Sequence, residues 1–242
     1  MSIEKLIKSI RPSVGKSNER VRERWIEDTL NSISENSRIL DAGAGTQRYR
    51  KFCKHLNYVS QDFGRYNGHG DSEGMQTGEF DYGELDIVSD ITAIPEPDLS
   101  FDAIMCIEVL EHLPDPVQAI KEFSRLIKPK GHLILTAPFC SLTHFSPYHF
   151  CTGFNTHWYQ IHLAGCGFKI IDITPNGNFF EYIAQEIDRI PSVAKRYSND
   201  RPGLFERLCI FVILRMLSRF SKKNNESSKL LCFGYHVFAT KY

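Results

Sequence analysis

The residues that invite a chemical reading stand in Ile39-Leu40-Asp41-Ala42-Gly43-Ala44-Gly45-Thr46, an apolar run that ends in a turn of small residues. Glycines at 43 and 45 let the main chain approach a ligand closely, and a helix opening after them would offer free N–H groups. A dinucleotide fingerprint asks for a third glycine at position 48, where helix and strand pack below a pyrophosphate, but Arg48 stands there. The phosphate-loop pattern with its lysine is absent as well. The turn therefore suits a nucleoside-containing ligand that lacks a pyrophosphate. Asp62 closes the next expected strand, Tyr58-Val-Ser-Gln-Asp62, 17 residues after Gly45, where a carboxylate takes both hydroxyls of a ribose.

Such a turn belongs at a strand-to-helix junction, and the surrounding chain alternates between the two. A short helix is expected around Ile3–Ile10, then a helix capped by Ser17 or Asn18 whose Val21, Trp25, Ile26, Leu30 and Ile33 form one apolar stripe. Strands are expected over 38–41, 58–62, 85–89, 101–107, 132–137, 168–173 and 230–240. Helices are expected near 46–55, from Asp115-Pro116 through Ile127 with Lys130-Gly131 as the stop, over 155–164, 178–189 and 203–220. Residues 63–84 are glycine-rich and polar and read as a long loop. This alternation predicts an α/β three-layer sandwich on a seven-stranded, mostly parallel sheet with an antiparallel edge feature. Residues 1–35 read as a helical lead-in or lid, and 36–242 as the α/β domain, with the helices of 178–220 inserted before its last strand.

Composition narrows the function classes. Lys+Arg and Asp+Glu both number 29, so the basic excess of a phosphate-gripping nucleic-acid binder is missing, and no nucleic-acid partner is expected. Seven scattered cysteines without a C-x-x-C pair make a poor disulfide or zinc framework. Residues 1–10 lack the apolar core of a signal peptide, and a cytoplasmic location is expected. The longest wholly apolar run, Leu208–Leu214, is far short of the ~20 residues that span a bilayer, so no integral membrane segment is expected.

Taken in order, Leu40-Asp-Ala-Gly-Ala-Gly45, Asp62, Asp90-Ile91, Phe101-Asp-Ala-Ile-Met-Cys-Ile-Glu-Val-Leu-Glu-His112 and Leu126-Ile-Lys-Pro-Lys-Gly-His-Leu-Ile-Leu135 give the chain its family character. In these motifs the sequence resembles the class I S-adenosylmethionine-dependent methyltransferases, in particular those with the type 11 methyltransferase domain, over about residues 36–140. The resemblance implies a Rossmann-like fold, S-adenosyl-L-methionine as cofactor, and a last strand antiparallel to its neighbours. It implies that Asp41, Gly43 and Gly45 cradle the methionine end of the cofactor and that Asp62 takes its ribose. Phe63 would lie against the adenine, Asp90 accept from the exocyclic amine, the Ile91 backbone read a ring nitrogen, and Ile107 run beside the sulfonium-bearing arm. Asp90 has a plainer reading as the cap of a turn into Thr92. Glu108 and His112, four apart, would share one helical face, either as a surface pair or as pocket lining. The branch that methylates amines of DNA bases carries an Asp/Asn-Pro-Pro-aromatic signature where this chain has Ile107-Glu-Val-Leu110, which argues against adenine- or cytosine-amine substrates of that type.

Methyl transfer from a sulfonium is an in-line displacement, so the acceptor side must align a nucleophile and take its proton. Residues 138–154 leave the carboxyl edge of the sheet and carry His144, Phe145, Tyr148, His149 and Phe150. We read His149 as the base and Tyr148 as a hydrogen-bonding neighbour; the plainer reading is that these rings only fold the loop onto the sheet. Five residues separate His144 from His149, which share no face of a helix or a strand, and no metal site is expected. Together these features predict a methyltransferase acting on a small molecule or on a glycan- or lipid-linked acceptor. The rivals are a cofactor-binding or regulatory protein without turnover, and a nicotinamide enzyme, which Arg48 disfavours. The segment 204–220, with Arg207, Arg215 and Arg219 beside its apolar run, reads as a helix covering the sheet or pocket, with peripheral membrane contact as the alternative.

Overall fold

Strand β1 (Arg38–Ala42) carries Ile39 and Leu40 on opposite faces, and both are fully buried. A strand covered on both faces needs a continuous apolar run rather than alternation, and β4 (Phe101–Ile107) and β5 (Ile127–Pro138) read the same way. With β2 (Asn57–Asp62), β3 (Ile87–Val88), β6 (Phe168–Asn176) and β7 (Gly234–Lys241) they form one seven-stranded sheet, ordered β3-β2-β1-β4-β5-β7-β6. The structure, a computed structural model, describes residues 12–242; the helix expected around Ile3–Ile10 lies outside them, as does part of the expected 1–35 lead-in.

Pairings β1–β2, β1–β4, β2–β3 and β4–β5 are parallel, and β7 runs antiparallel to β5, with Ile134 opposite Phe238 and Leu135 opposite Val237. The order reverses between β1 and β4, and the carboxyl ends of strands flanking such a switch point open a crevice. Helix α1 (Asn18–Leu30) lays Ile26 and Leu30 on the sheet face formed by Ile39, Ala103, Met105, Ile107 and Ile134. Helix α2 (Pro116–Leu126) starts as its residues dictate: Pro116 sits in the first turn and the Asp115 carboxylate accepts from the Gln118 N–H, a cap that stabilises a helix by about 1 kcal/mol. Helix α3 (Thr156–Gly165) is capped in the same way by Asn155.

Three expectations shift. No α-helix forms near 46–55; Gln47 adopts a left-handed φ of 55°, its side-chain amide donates to the Tyr82 and Glu84 carbonyls, and only a short 3-10 turn, Arg50–Phe52, follows. That commitment to a distant loop breaks the helical course at its second residue. Strand β3 is confined to two residues, while β5 begins directly after α2, so Lys130-Gly131 forms an irregularity inside the strand instead of a stop before it. There Lys130 has a φ of 64°, and a Cβ on Gly131 would lie 2.6 Å from Ile127 Cγ2.

The chain divides into two compact units. One, Arg22–Thr174 with Gly234–Tyr242, contains nearly all of the sheet, α2, α3 and α1 from Arg22 onward. The other joins the chain up to Val21 with Pro175–Phe233 and holds α4 (Phe179–Tyr197) and α5 (Leu204–Lys222). In this second unit Val14, Ala184, Leu214 and Leu217 form a small core, while Leu204, Phe205, Leu208 and Val212 of α5 stay exposed. Among the described residues no helix is long and apolar enough to cross a membrane.

Candidate active site

A cleft of about 1020 Å³ opens at the switch point. Its floor is the turn after β1, where Gly43 and Gly45 have φ of 77° and 51°, a region L side chains rarely adopt. The turn is held from β2: the N–H groups of Gly43 and Ala44 both donate to the Gln61 carbonyl at 2.9 Å. The Gln61 side chain donates onward to the Ser89 carbonyl at 2.8 Å, which ties the ends of β1, β2 and β3 together. Gln61 was not singled out from sequence; the available signal was a buried-type position beside Asp62 holding an amide, and an amide there must find partners on both sides.

Asp62 is 6% exposed, and its two oxygens accept from the Gly45 N–H at 2.9 Å and the Gly64 N–H at 3.0 Å. Each oxygen has a second lone pair, so the carboxylate can still receive two hydroxyls. Burial raises its pKa, and the backbone N–H groups oppose that rise. Asp41 is buried at the end of β1 and accepts from the Tyr58 hydroxyl at 2.6 Å; burial outweighs that bond and pushes its carboxyl up to about 7.

All eight residues expected on the cofactor side, Asp41, Gly43, Gly45, Asp62, Phe63, Asp90, Ile91 and Ile107, line this one cleft. Asp90 also does what the plainer reading says, since one oxygen accepts from the Thr92 N–H and hydroxyl at 2.8 and 2.7 Å. These bonds hold its pKa below the usual value. The turn it caps is pinned from α2, where the Glu122 carboxylate accepts from the Ile94 N–H.

The opposite wall comes from two loops that zip together. Met75 N–H donates to the Thr143 carbonyl and Phe145 N–H to the Met75 carbonyl, while the Ser146 hydroxyl donates to Asp71. This brings Tyr66 against Phe145, stacked at 4.4 Å, with Phe80 edge-on to both. Tyr148 meets Phe63 edge-to-face at 5.0 Å and lines the cleft. The glycine-rich stretch 63–84 is therefore part of the site, a role its composition alone did not reveal.

Glu108 and His112 both line the cleft, but they do not share a helix: Glu108 has a φ of 55° and a 3-10 turn, Leu110–His112, follows. Glu108 is engaged, accepting from Arg22 and from the Thr136 hydroxyl, both at 2.8 Å. Glu111, His112 and His144 bring one ligand-type atom each to within 4.8 Å of one another. Burial, then the neighbouring Glu108, pushes the Glu111 carboxyl well above the ordinary carboxylate range. Burial, then His144, pushes His112 down to about 3, so this imidazole is neutral. His149 is not among the lining residues; its ring lies 4.7 Å from that of His144, and its Nε2 is 3.1 Å from the Ser141 hydroxyl. That hydroxyl donates to the Thr152 carbonyl, so it accepts from His149 and leaves Nδ1 with its lone pair. Burial and then His144 lower the His149 pKa as well.

A doubly-wound sheet with its seventh strand reversed beside the edge, a glycine turn on β1, acids closing β1 and β2 and a cleft above them give the chain the fold of the class I S-adenosylmethionine-dependent methyltransferases. The donor set fits that cofactor: carboxylates face a cationic, phosphate-free nucleoside, and the positive-φ turn leaves room where a side chain would intrude. Residues 40–135 of the chain match the family described as a methyltransferase domain. Over 36 residues it is 53% identical to a ubiquinone biosynthesis O-methyltransferase from Alkalilimnicola ehrlichii, a stretch covering 15% of either chain. The chain thus matches only that small share of the length of this curated relative. Among solved structures it is similar to a SAM dependent methyltransferase from Archaeoglobus fulgidus, with a TM-score of 0.54 at 15% identity over 92% of this chain and 94% of that one. It is also similar to the geranyl diphosphate C-methyltransferase of Streptomyces coelicolor, with a TM-score of 0.50 at 12% identity over 92% and 79%. At these identities the likeness is one of fold.

Proposed function

We propose that the chain is an S-adenosylmethionine-dependent methyltransferase that methylates a hydroxyl of a small molecule, free or carried on a glycan or lipid. The observation behind this reading is a single cleft in which a carboxylate-and-glycine floor faces an imidazole-rich wall. The short-matching relative is named an O-methyltransferase, which points the same way. Asp41, Gly43 and Gly45 hold the methionine end, Asp62 the ribose, Phe63 and Ile91 flank the adenine, Asp90 receives its amine, and Ile107 borders the arm. When bound, the cofactor supplies an electrophilic methyl group on a positively charged sulfur. His149, whose Nδ1 keeps its lone pair, would take the proton of the acceptor hydroxyl by way of one water. Tyr148, on the cleft wall, orients the acceptor, and the aromatic wall excludes bulk water.

Calorimetry with S-adenosylmethionine, S-adenosylhomocysteine and NAD, followed by an acceptor screen scored by S-adenosylhomocysteine release, tests the reading. Binding of NAD without S-adenosylhomocysteine would overturn it, and binding without turnover on any hydroxyl acceptor would favour the non-catalytic rival. His149→Ala is expected to lower turnover by about 100-fold, within the range a general base contributes, with S-adenosylhomocysteine affinity unchanged; normal turnover removes it as base.

Asp41 gives a pH signature. Its folded-state pKa, about 7, lies above the ordinary 3.8, so in the free protein the anion that receives the cofactor ammonium forms only as pH rises through about 7. Below that, binding must expel a proton, and affinity is expected to fall by up to about tenfold per pH unit. Asp41→Asn should flatten the profile; a wild-type affinity that is level across this range contradicts the assignment.

A further inference from the structure

Within the second unit α4 and α5 form an antiparallel hairpin: Phe180 meets Phe220 at 5.6 Å, and the Asn178 amide donates to the Ser221 hydroxyl at 3.1 Å. One side of α5 is used in this packing, with Leu214 and Leu217 buried in the core that holds Ala184. The other side is open. Leu208, Val212, Met216 and Phe220 follow at intervals of four and are all exposed, and Phe205 is 76% exposed. Where the hairpin turns, Leu204 of α5 is joined by Ile190, Val193 and Tyr197 of α4, exposed at helical spacing. Apolar side chains gathered to this extent on one surface mark a place of interaction.

Charge is segregated along the same helix. It carries Arg207, Arg215, Arg219 and Lys222 against one carboxylate, Glu206, in a chain whose total charge is zero. Glu206 is turned to the helix start, where it accepts from the Gly203 N–H. Arg215, Arg219 and Lys222 form an exposed row beside the apolar one, and no ion pair among the described residues involves them. Arg219 lies over the Phe220 ring at 5.2 Å, which joins the two rows.

We propose that this face of the hairpin seats the chain on the surface of an anionic lipid bilayer. The two rows match the layering of that surface: apolar side chains enter the boundary between headgroups and acyl chains, and cationic tips reach back to lipid phosphates. Nineteen residues make α5 about 28 Å long, and the convex flank of such a helix fits a plane. No described helix is long and apolar enough to cross, so α5 lies along the surface. A second copy would present the same excess of positive charge, which opposes pairing through this face. A chain held there meets lipid-carried acceptors directly; that consequence rests on the methyl-transfer reading, and the docking surface does not.

The test sediments the full chain with vesicles of phosphatidylcholine alone or with about 30% phosphatidylglycerol, at low and at high salt. Binding to the anionic vesicles is expected, weaker by at least about tenfold without phosphatidylglycerol and weakened again by salt. Arg215→Ala with Arg219→Ala should lower the affinity about 30-fold, and Phe205→Ser with Val212→Ser at least about tenfold. Ile161→Ser, at an exposed apolar position of α3, should change nothing. Thermal unfolding checks that each variant is folded, and calorimetry with S-adenosylhomocysteine reads the cofactor side separately. Wild-type chain that stays in solution beside anionic vesicles overturns the surface, as does undiminished binding by both double variants. A dimer in light scattering that Phe205→Ser with Val212→Ser dissolves, without vesicle binding, gives the face to a second copy and overturns it too. Vesicle binding without S-adenosylhomocysteine binding would sink the methyltransferase reading and leave the docking surface standing.

Discussion

Asp62→Ala is expected to weaken S-adenosylhomocysteine binding by about 100-fold, equivalent to about 3 kcal/mol. Two losses add in this variant. The ribose hydroxyls lose a charged acceptor, and a hydrogen bond to a charged group contributes about 1.5–3 kcal/mol. The N–H groups of Gly45 and Gly64, now held at 2.9 and 3.0 Å, lose their partner inside a largely enclosed site, and the turn that they shape loosens. Asp62→Asn should fall between, since its amide keeps one acceptor oxygen but turns an NH₂ group toward the other N–H. Isothermal calorimetry reads both variants, with thermal unfolding as the check that the chain is folded. An Asp62→Ala protein that binds as the wild type does would remove the carboxylate from the ribose site.

Gly43→Ala is the second change with a large expected effect, and it acts on the fold. A Cβ at this position would lie 2.5 Å from Val109 Cγ2 and 2.8 Å from Cγ1, and the residue holds a φ of 77°. The left-handed conformation costs an L residue about 1–2 kcal/mol and overpacking about 1–3 kcal/mol more. Total stabilities are about 5–15 kcal/mol, so the variant should lose a large share, seen as a Tm lower by roughly 5–15 °C. Val109→Ala removes both offending methyl groups. In that background Gly43→Ala should cost mainly the conformational part, since only the 3.2 Å approach to the Cβ of residue 109 remains, and partial recovery separates overlap from backbone strain. Equal losses in both backgrounds would show that Val109 is not the obstacle.

Why the floor of the cleft was legible and its opposite wall was not follows from sequence separation. Gly43, Gly45 and Asp62 belong to local patterns: an apolar run, a turn needing positive φ, and an acid ending the adjacent parallel strand. Each is set by a few neighbouring residues, so type and spacing carry the information. The Glu111–His112–His144 cluster depends on a loop docking across more than 30 residues of chain. The His144 ring lies 4.7 Å from that of His149 and also reaches Glu111 and His112 of another element, contacts that spacing along the chain does not carry. The missing helix after Gly45 has the same origin, since Gln47 bonds to Tyr82 and Glu84, far along the chain.

By itself the sequence determined the alternating elements, their caps and the glycine turn, because apolar periodicity, capping side chains and backbone freedom act over one or two turns of chain. It thereby also determined the fold class and the eight residues that line the floor of the cleft. Only the tertiary structure decided which rings form the opposite wall, which histidines face Glu111, and which stands one ring behind. Those choices are made by the docking of the 63–84 and 138–154 loops on each other, where main-chain carbonyls fix imidazole tautomers and burial sets charge. Contacts of that kind join residues that no local pattern relates.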